Sequence, residues 1–355
     1  MENDNKKPLY KAAIIGCGNA GIFHLNALRK FQDIVEVKML CDIDESKLKR
    51  ANRIYKSAEM TKDYIKVLEN DEIDAVHICL PHYLHAKFTI DALNMGKHVL
   101  LEKPIANTLE ECDQIIAAME KSKKTLMIAE NQRFLPAHIK IKELINSGII
   151  GDVKLIHTYE GGSEVTSISD KNLWKSNIIE GGGGAWIDSG IHRVSVIQYL
   201  FGDVKSIVGI ARRLYAPHET KADDNCGFVL ELECGAICTI DVSFTVASEW
   251  NNTIEIFGTK GTILENHNWP IPIKLFSTLP GPNQSKWIDI EVEHKTYPGY
   301  YPLTFEAEIK HFYECLKNNS TPYMTAYDGR RALEVILMGY ESSKTGRIIY
   351  KNKKN

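Results

Sequence analysis

Long hydrophobic runs are missing from this chain, and no apolar stretch approaches the roughly 18 residues that span a bilayer. The opening segment MENDNKKPLY is too polar for a secretory signal, so a cytoplasmic protein with no membrane contact is expected. Charge of one sign is also scarce. Lys and Arg number 43 against 46 Asp and Glu, a net charge of -3, which speaks against a nucleic-acid partner and leaves small neutral or weakly acidic ligands. No C-x-x-C pair occurs among Cys17, Cys41, Cys79, Cys112, Cys226, Cys234, Cys238 and Cys315, and buried free thiols are expected in place of a disulfide framework. Cys234 and Cys238 lack a companion His or Cys at zinc spacing, and no metal site is expected. Fixed-period repeats and low-complexity linkers are absent as well. The only shift in composition is the Pro- and Gly-rich stretch from Pro270 to Pro282, read as a surface loop.

What is present is enough for two cores. A chain of 355 residues, 44% apolar and 25% charged, exceeds what one core usually supports. Short apolar runs alternate with helix-period segments up to about residue 130: AAIIG, VEVKMLCD, DAVHICLP, KHVLLEKP and TLMIAEN. That rhythm predicts a doubly wound parallel sheet of Rossmann type over residues 8–130. The helix following Thr108 opens on a capping box with Glu111. Beyond residue 130 the pattern alternates every second residue, with Gly or Asn at the turns. It predicts an α+β domain over 131–355 built on a large, mostly antiparallel open sheet, with helices near 190–200, 304–317 and 326–343.

The first chemical motif is GCGNAG. Gly16, Gly18 and Gly21 stand between the run AAII and the apolar-periodic IFHLNALRKF, the strand-turn-helix setting of a dinucleotide fingerprint. Gly16 permits the turn, Gly18 admits a pyrophosphate to the backbone, and Gly21 lets helix pack on strand. Asp42 closes the second run, where a carboxylate accepts hydrogen bonds from ribose hydroxyls and repels a 2′-phosphate. NAD is therefore preferred over NADP, the nearest cations being Lys47 and Lys49 on the next helix. The second motif, EKP at Glu102 to Pro104, ends a predicted parallel strand and aims Lys103 at the crevice where such sheets bind ligands.

A third stretch, GGGGAWIDSGIH, sets Asp188 four residues before His192. On a helix that starts near Asp188 the two side chains share a face. The glycines at 181–184 would let a sugar or a nicotinamide ring approach the backbone.

GCGNAG, the long segment ending in EKP, NQRFLPAHIKIKELINSGIIGDV and GGGGAWIDSGIH occur in the order of the Gfo/Idh/MocA oxidoreductases, and the chain resembles that family over nearly its whole length. The resemblance implies an N-terminal Rossmann domain and a C-terminal domain whose open sheet forms homo-oligomers, dimers or tetramers. It also implies sugar, glycoside or cyclitol substrates and a catalytic group here represented by Lys103, Asp188 and His192. His192 is then the general base for a hydroxyl proton, Lys103 stabilises the developing oxyanion or shares the proton, and Asp188 orients the hydroxyl or the imidazole. Cofactor contacts are expected from Gly16, Cys17, Gly18, Asn19, Ala20, Gly21, Asp42, Leu80, Pro81, His82, His85, Glu102, Lys103, Asn131, Trp174 and Lys175. Substrate contacts are expected from Lys103, Arg133, Glu160, Asp188, His192 and Tyr301, with Tyr300 beside the last. In one respect the chain departs from its relatives: Ser195 stands where they carry an aspartate three residues after the histidine, and Arg193 adds a cation beside the base. Three activities fit the pattern: a dehydrogenase, a glycosidase working by transient oxidation and elimination, and a sugar-sensing protein without turnover. The complete catalytic set speaks against the last.

Overall fold

The computed structural model describes residues 9–171, 173–216 and 220–351. The opening segment up to residue 8, where the first domain was expected to begin, and residues 352–355 lie outside the described residues. The chain forms two compact units. The first comprises the described residues up to Asn131 together with Tyr301–Arg330, and the second runs over Gln132–Tyr300 and from Arg331 onward.

The first unit carries a six-stranded parallel sheet. Its strands are β1 (Tyr10–Ile15), β2 (Val35–Cys41), β3 (Glu59–Thr61), β4 (Ala75–Ile78), β5 (His98–Glu102) and β6 (Leu126–Ala129), in the order β3-β2-β1-β4-β5-β6. The runs of Ile, Val and Leu that form β1, β4, β5 and β6 are buried on both faces, as strands between two helical layers must be. β3 was not anticipated. It is three residues long and carries no apolar run, so it left no periodic signal. The order reverses between β1 and β4, and a doubly wound sheet opens a crevice beyond the C-terminal strand ends at such a reversal. Tyr301–Arg330 also belongs to this unit, a return of the chain that a single boundary near residue 130 does not provide.

The second unit is built on a nine-stranded sheet, formed by β7 (Val153–Gly161), β8 (Val204–Arg212), β9 (Asn225–Leu232), β10 (Ile237–Ser243), β11 (Asn251–Gly258), β12 (Gly261–Asn266), β13 (Ile273–Ser277), β14 (Trp287–Ile290) and β15 (Ile349–Tyr350). Their order is β14-β13-β12-β11-β7-β10-β9-β8-β15, antiparallel except for β7 beside β10. One face is the core. Ile156, Phe228, Leu230, Ile240, Ile254, Ile256 and Ile263 are fully buried on it, while Ile210, Val229 and Ile237 on the other face stay exposed. The alternation of buried and exposed residues along β9 to β12 records this one-sided burial.

The helix that carries Asp188 and His192 starts earlier than expected. A π-helical turn at Trp186–Gly190 runs directly into the α-helix Ile191–Phe201. Gly190 explains how the wide turn closes: a Cβ there would stand 2.3 Å from the Trp186 ring. Seven of the eight cysteines are buried, and none is in a disulfide. Cys234 alone is exposed, contrary to the expectation for the whole set.

Candidate active site

In the first unit the C-terminal strand ends gather the cofactor candidates. Gly16 has φ +98, and a Cβ there would lie 2.2 Å from the Cys79 carbonyl oxygen. At Gly21 a Cβ would meet the Gly16 carbonyl at 2.1 Å. Both positions are closed to any side chain. Gly18 differs, since nothing lies within 4 Å of the Cβ it lacks, and it precedes helix Asn19–Leu28, whose first-turn amides point outward. Cys17 donates its backbone N–H to Asp42 Oδ2 at 2.8 Å, and Asp42 Oδ1 accepts from Asp44 N at 2.9 Å. The Asp42 carboxylate is thereby fixed against the glycine turn with lone pairs to spare. The Cys17 thiol is buried, its pKa pushed up to about 12 by burial and then by Asp42, so it packs and does not react.

The cation nearest this turn is Arg50, one position beyond the lysines that sequence spacing offered. Its guanidinium donates to the Cys17 carbonyl at 3.3 Å and to Asn19 Oδ1 at 3.4 Å, whereas Lys47 and Lys49 pair with Asp44 and Glu45. Ala20 lies beside Asn19 in the first turn of the same helix.

Leu80 and Pro81 follow β4, and His82 and His85 open the next helical turns. His85 is fully buried, with Nδ1 2.6 Å from the Pro104 carbonyl and Nε2 2.8 Å from that of Leu80. Its nitrogens serve the backbone, so a polar contact to a cofactor is corrected to a structural role, tying the EKP turn to the end of β4. Asn131 opens the short turn that follows β6 and donates to Thr304 Oγ1 at 2.9 Å.

Two residues that the sequence reading passed over stand behind Glu102. His24, three residues past Gly21, approaches Glu102 Oε1 with Nε2 at 3.1 Å and His77 with Nδ1 at 2.9 Å. His77 Nε2 lies 2.9 Å from the Tyr313 hydroxyl. Burial, and then His24, drive the His77 pKa far below its ordinary value, so this ring is neutral and carries one N–H. With Glu102 ionised and both rings neutral, one assignment satisfies every group. Tyr313 donates to His77, His77 Nδ1–H donates to His24, and His24 Nε2–H donates to Glu102. The chain fixes the carboxylate next to Lys103, which sits half-buried just past the end of β5. Neither histidine belongs to a recognisable spacing; only the fold makes them neighbours.

In the second unit every residue from Gly183 to Gln198 is buried except two, Asp188 and His192. Both face outward from one side of the helix. Lys175, from the turn Trp174–Ser176, donates to Asp188 Oδ2 at 2.7 Å, and its ammonium lies 5.7 Å from the Trp174 ring centre. The pair expected at a nicotinamide thus presents its cation to the carboxylate.

Expectations for four groups on and around this helix are revised. Gly183 and Gly184 leave no room for a ligand: a Cβ on Gly183 would lie 2.0 Å from the Tyr340 hydroxyl, and one on Gly184 would lie 1.9 Å from the Asp223 carbonyl. They are small because protein packs there. The Asp223 carboxylate takes N–H groups from Gly184 at 3.0 Å and Trp186 at 2.8 Å, so an anion sits at the start of the helix where the dipole favours one. Arg193, adjacent to His192 in sequence, projects the other way and pairs with Glu160 at 2.8 Å, both buried. Neighbours one residue apart on a helix do not share a face. Arg193 therefore offers no cation to a substrate, and Glu160 is spent inside. Arg133 is 4% exposed and donates from Nε to Ser195 Oγ at 3.0 Å, so it too is assigned to the interior of this unit.

Tyr300 is buried in the second unit against His267, with ring centres 5.1 Å apart. Tyr301 falls in the first, stacked on Phe23 of the helix after the glycine turn at 5.4 Å.

Residues 10–130 match the profile described as oxidoreductase family, NAD-binding Rossmann fold, and residues 138–264 match the GFO/IDH/MocA C-terminal domain. The scyllo-inositol 2-dehydrogenase (NAD(+)) of Bacillus subtilis is 30% identical over 345 residues, covering 95% of this chain and 94% of that protein. The myo-inositol 2-dehydrogenase of Thermotoga maritima is 26% identical over 338 residues, 94% of this chain and 96% of its own. A levoglucosan dehydrogenase solved with NADH and L-sorbose superposes with a TM-score of 0.89 at 20% identity, covering 97% of this chain and 99% of that one.

Proposed function

Because the chain belongs to the Gfo/Idh/MocA family of NAD-binding oxidoreductases, we propose that it oxidises a secondary hydroxyl of a sugar, glycoside or cyclitol, with His192 as general base and Lys103 and Asp188 assisting. The observation that carries this reading is the exposure pattern. Between Gly183 and Gln198 the two partly exposed residues are an acid and an imidazole, Asp188 and His192, at positions that share a face. A purely structural helix has no reason to keep those two positions open.

The glycine turn fits NAD. Gly18 offers an open cradle, the amides after it meet a pyrophosphate, and Asp42 suits ribose hydroxyls. NAD would supply the hydride acceptor. The chain's own residues do the proton work: His192 takes the hydroxyl proton, Asp188 orients it while held by Lys175, and Lys103 lowers the energy of the developing oxyanion. Glu102, fixed by His24, sets the charge beside Lys103. The relatives named for inositols and the neighbour solved with L-sorbose support a polyol ring as substrate. The exposed Ile210, Val229 and Ile237 on the outer sheet face support assembly into a homo-oligomer, and a monomer by light scattering would remove that part of the reading.

A panel of cyclitols, monosaccharides and glycosides, each mixed with the enzyme and NAD and followed by NADH absorbance, tests the proposal. Net NADH from a free polyol is expected. Cleavage of a glycoside with no net NADH would replace the dehydrogenase by an oxidation-elimination glycosidase.

A further inference from the structure

We propose that the inner face of the nine-stranded sheet holds a divalent metal ion, zinc before others, between His138, Glu265 and His267. The three residues come from separate places. His138 lies on helix Pro136–Asn146, Glu265 on β12, and His267 just past that strand's end. One ligand atom from each lies within 4.8 Å of the other two, and all three residues are buried. Donor atoms around tetrahedral zinc with bonds of about 2.1 Å stand about 3.4 Å apart, so small side-chain rotations close the set.

The hydrogen bonds of the cluster point to an occupant. His138 Nδ1 lies 2.7 Å from the Gln132 carbonyl, which accepts only, so Nδ1 carries the proton and Nε2 presents a bare lone pair. That Nε2 has no hydrogen-bond partner, and neither do the Glu265 oxygens nor the His267 ring nitrogens. His267 Nε2 comes within 2.9 Å of Glu265 Oε1 but without the direction of a hydrogen bond. A backbone carbonyl that fixes the tautomer of a buried imidazole is the usual outer support of a metal-ligating histidine. Asn252, one strand over on β11, supplies a fourth candidate: its carbonyl accepts the His267 N–H at 3.1 Å, and its own buried amide oxygen lacks a partner. Two imidazoles, a carboxylate and an amide oxygen suit zinc better than magnesium or calcium, which take all-oxygen sets. The buried cation nearby, Arg193, pairs with Glu160 at 2.8 Å. Since Arg193 follows His192, the ion would brace the buried side of the helix whose other side bears the candidate base.

The test is metal analysis of the full chain purified without a metal-affinity step, with unfolding and refolding in chelator, zinc or cobalt(II). About one zinc per chain is expected as purified or after refolding in zinc, with a higher melting temperature than the chelator-refolded protein and visible tetrahedral cobalt bands. Glu265→Gln and His267→Gln should lose the ion while still binding NADH. Less than about a tenth of an equivalent under all conditions, with no cobalt bands and no thermal shift, overturns the site and leaves a water-filled polar cavity. Wild-type measurements suffice if either variant fails to fold.

Discussion

Asp188 and Lys175 form an ion pair beside the helix that carries His192, and their side chains are 14% and 34% exposed. Ion pairs this open to water add little to stability, so the value of the contact lies in aiming the carboxylate. Lys175→Met should lower kcat about tenfold, or about 1.4 kcal/mol of barrier, while Lys175→Arg retains most of it and melting temperature barely moves. Unchanged kcat in the methionine variant would show that Asp188 needs no partner. At this scale the sequence named the groups but not their directions. Arg133 was expected at the substrate and Arg193 beside the base, yet they turn inward to Ser195 and Glu160. Arg50, His24 and His77 were invisible, because their partners lie 25 or more positions away along the chain or sit in no known spacing.

The helix entered through GGGGAWIDSG was legible in position and misread in purpose. Four glycines suggested space for a ring, whereas Gly183 and Gly184 are small because Tyr340 and Asp223 occupy that space. Gly184→Ala should therefore destabilise the protein by about 3 kcal/mol or more, read by urea denaturation, since a backbone carbonyl cannot give way as a flexible side chain can. A loss under about 0.5 kcal/mol would mean that the segment relaxes freely. The π-turn at Trp186–Gly190 could not have been foreseen from a 3.6-residue period. Only the tight approach of Gly190 to Trp186 betrays it, a local contact whose closeness shows once the turn is folded.

Across the whole molecule, the alternation of apolar runs with helical segments, and then of apolar with polar residues, gave both sheets their class. It missed the return of Tyr301–Arg330 to the first unit, because an amphipathic helix does not declare which sheet it covers. Helix Tyr300–Asn318 buries Glu308 in that unit, and burial, followed by the charges of Glu102 and Glu130, holds its pKa well above 4.5. The folded chain thus keeps a proton that the unfolded chain releases, and the stability this group contributes below pH 4.5 is lost as pH rises toward its folded value. Glu308→Gln should gain on the wild type between pH 5 and 8, with slopes differing by up to about 1.4 kcal/mol per pH unit. Parallel curves would contradict it. The half-buried His98 acts in the opposite sense. Burial, and then Lys124, pull the His98 pKa down to about 4, so its contribution is lost as pH falls from 6.5 through that value.

Chemical rescue tests the account at its centre. In His192→Ala, turnover of the polyol found by the NADH panel should fall about a hundredfold or more with NADH affinity intact, and added imidazole should restore it in proportion to the neutral form of the buffer. Full turnover in the variant without imidazole would place the base elsewhere and leave the outward pair on that helix without a catalytic purpose.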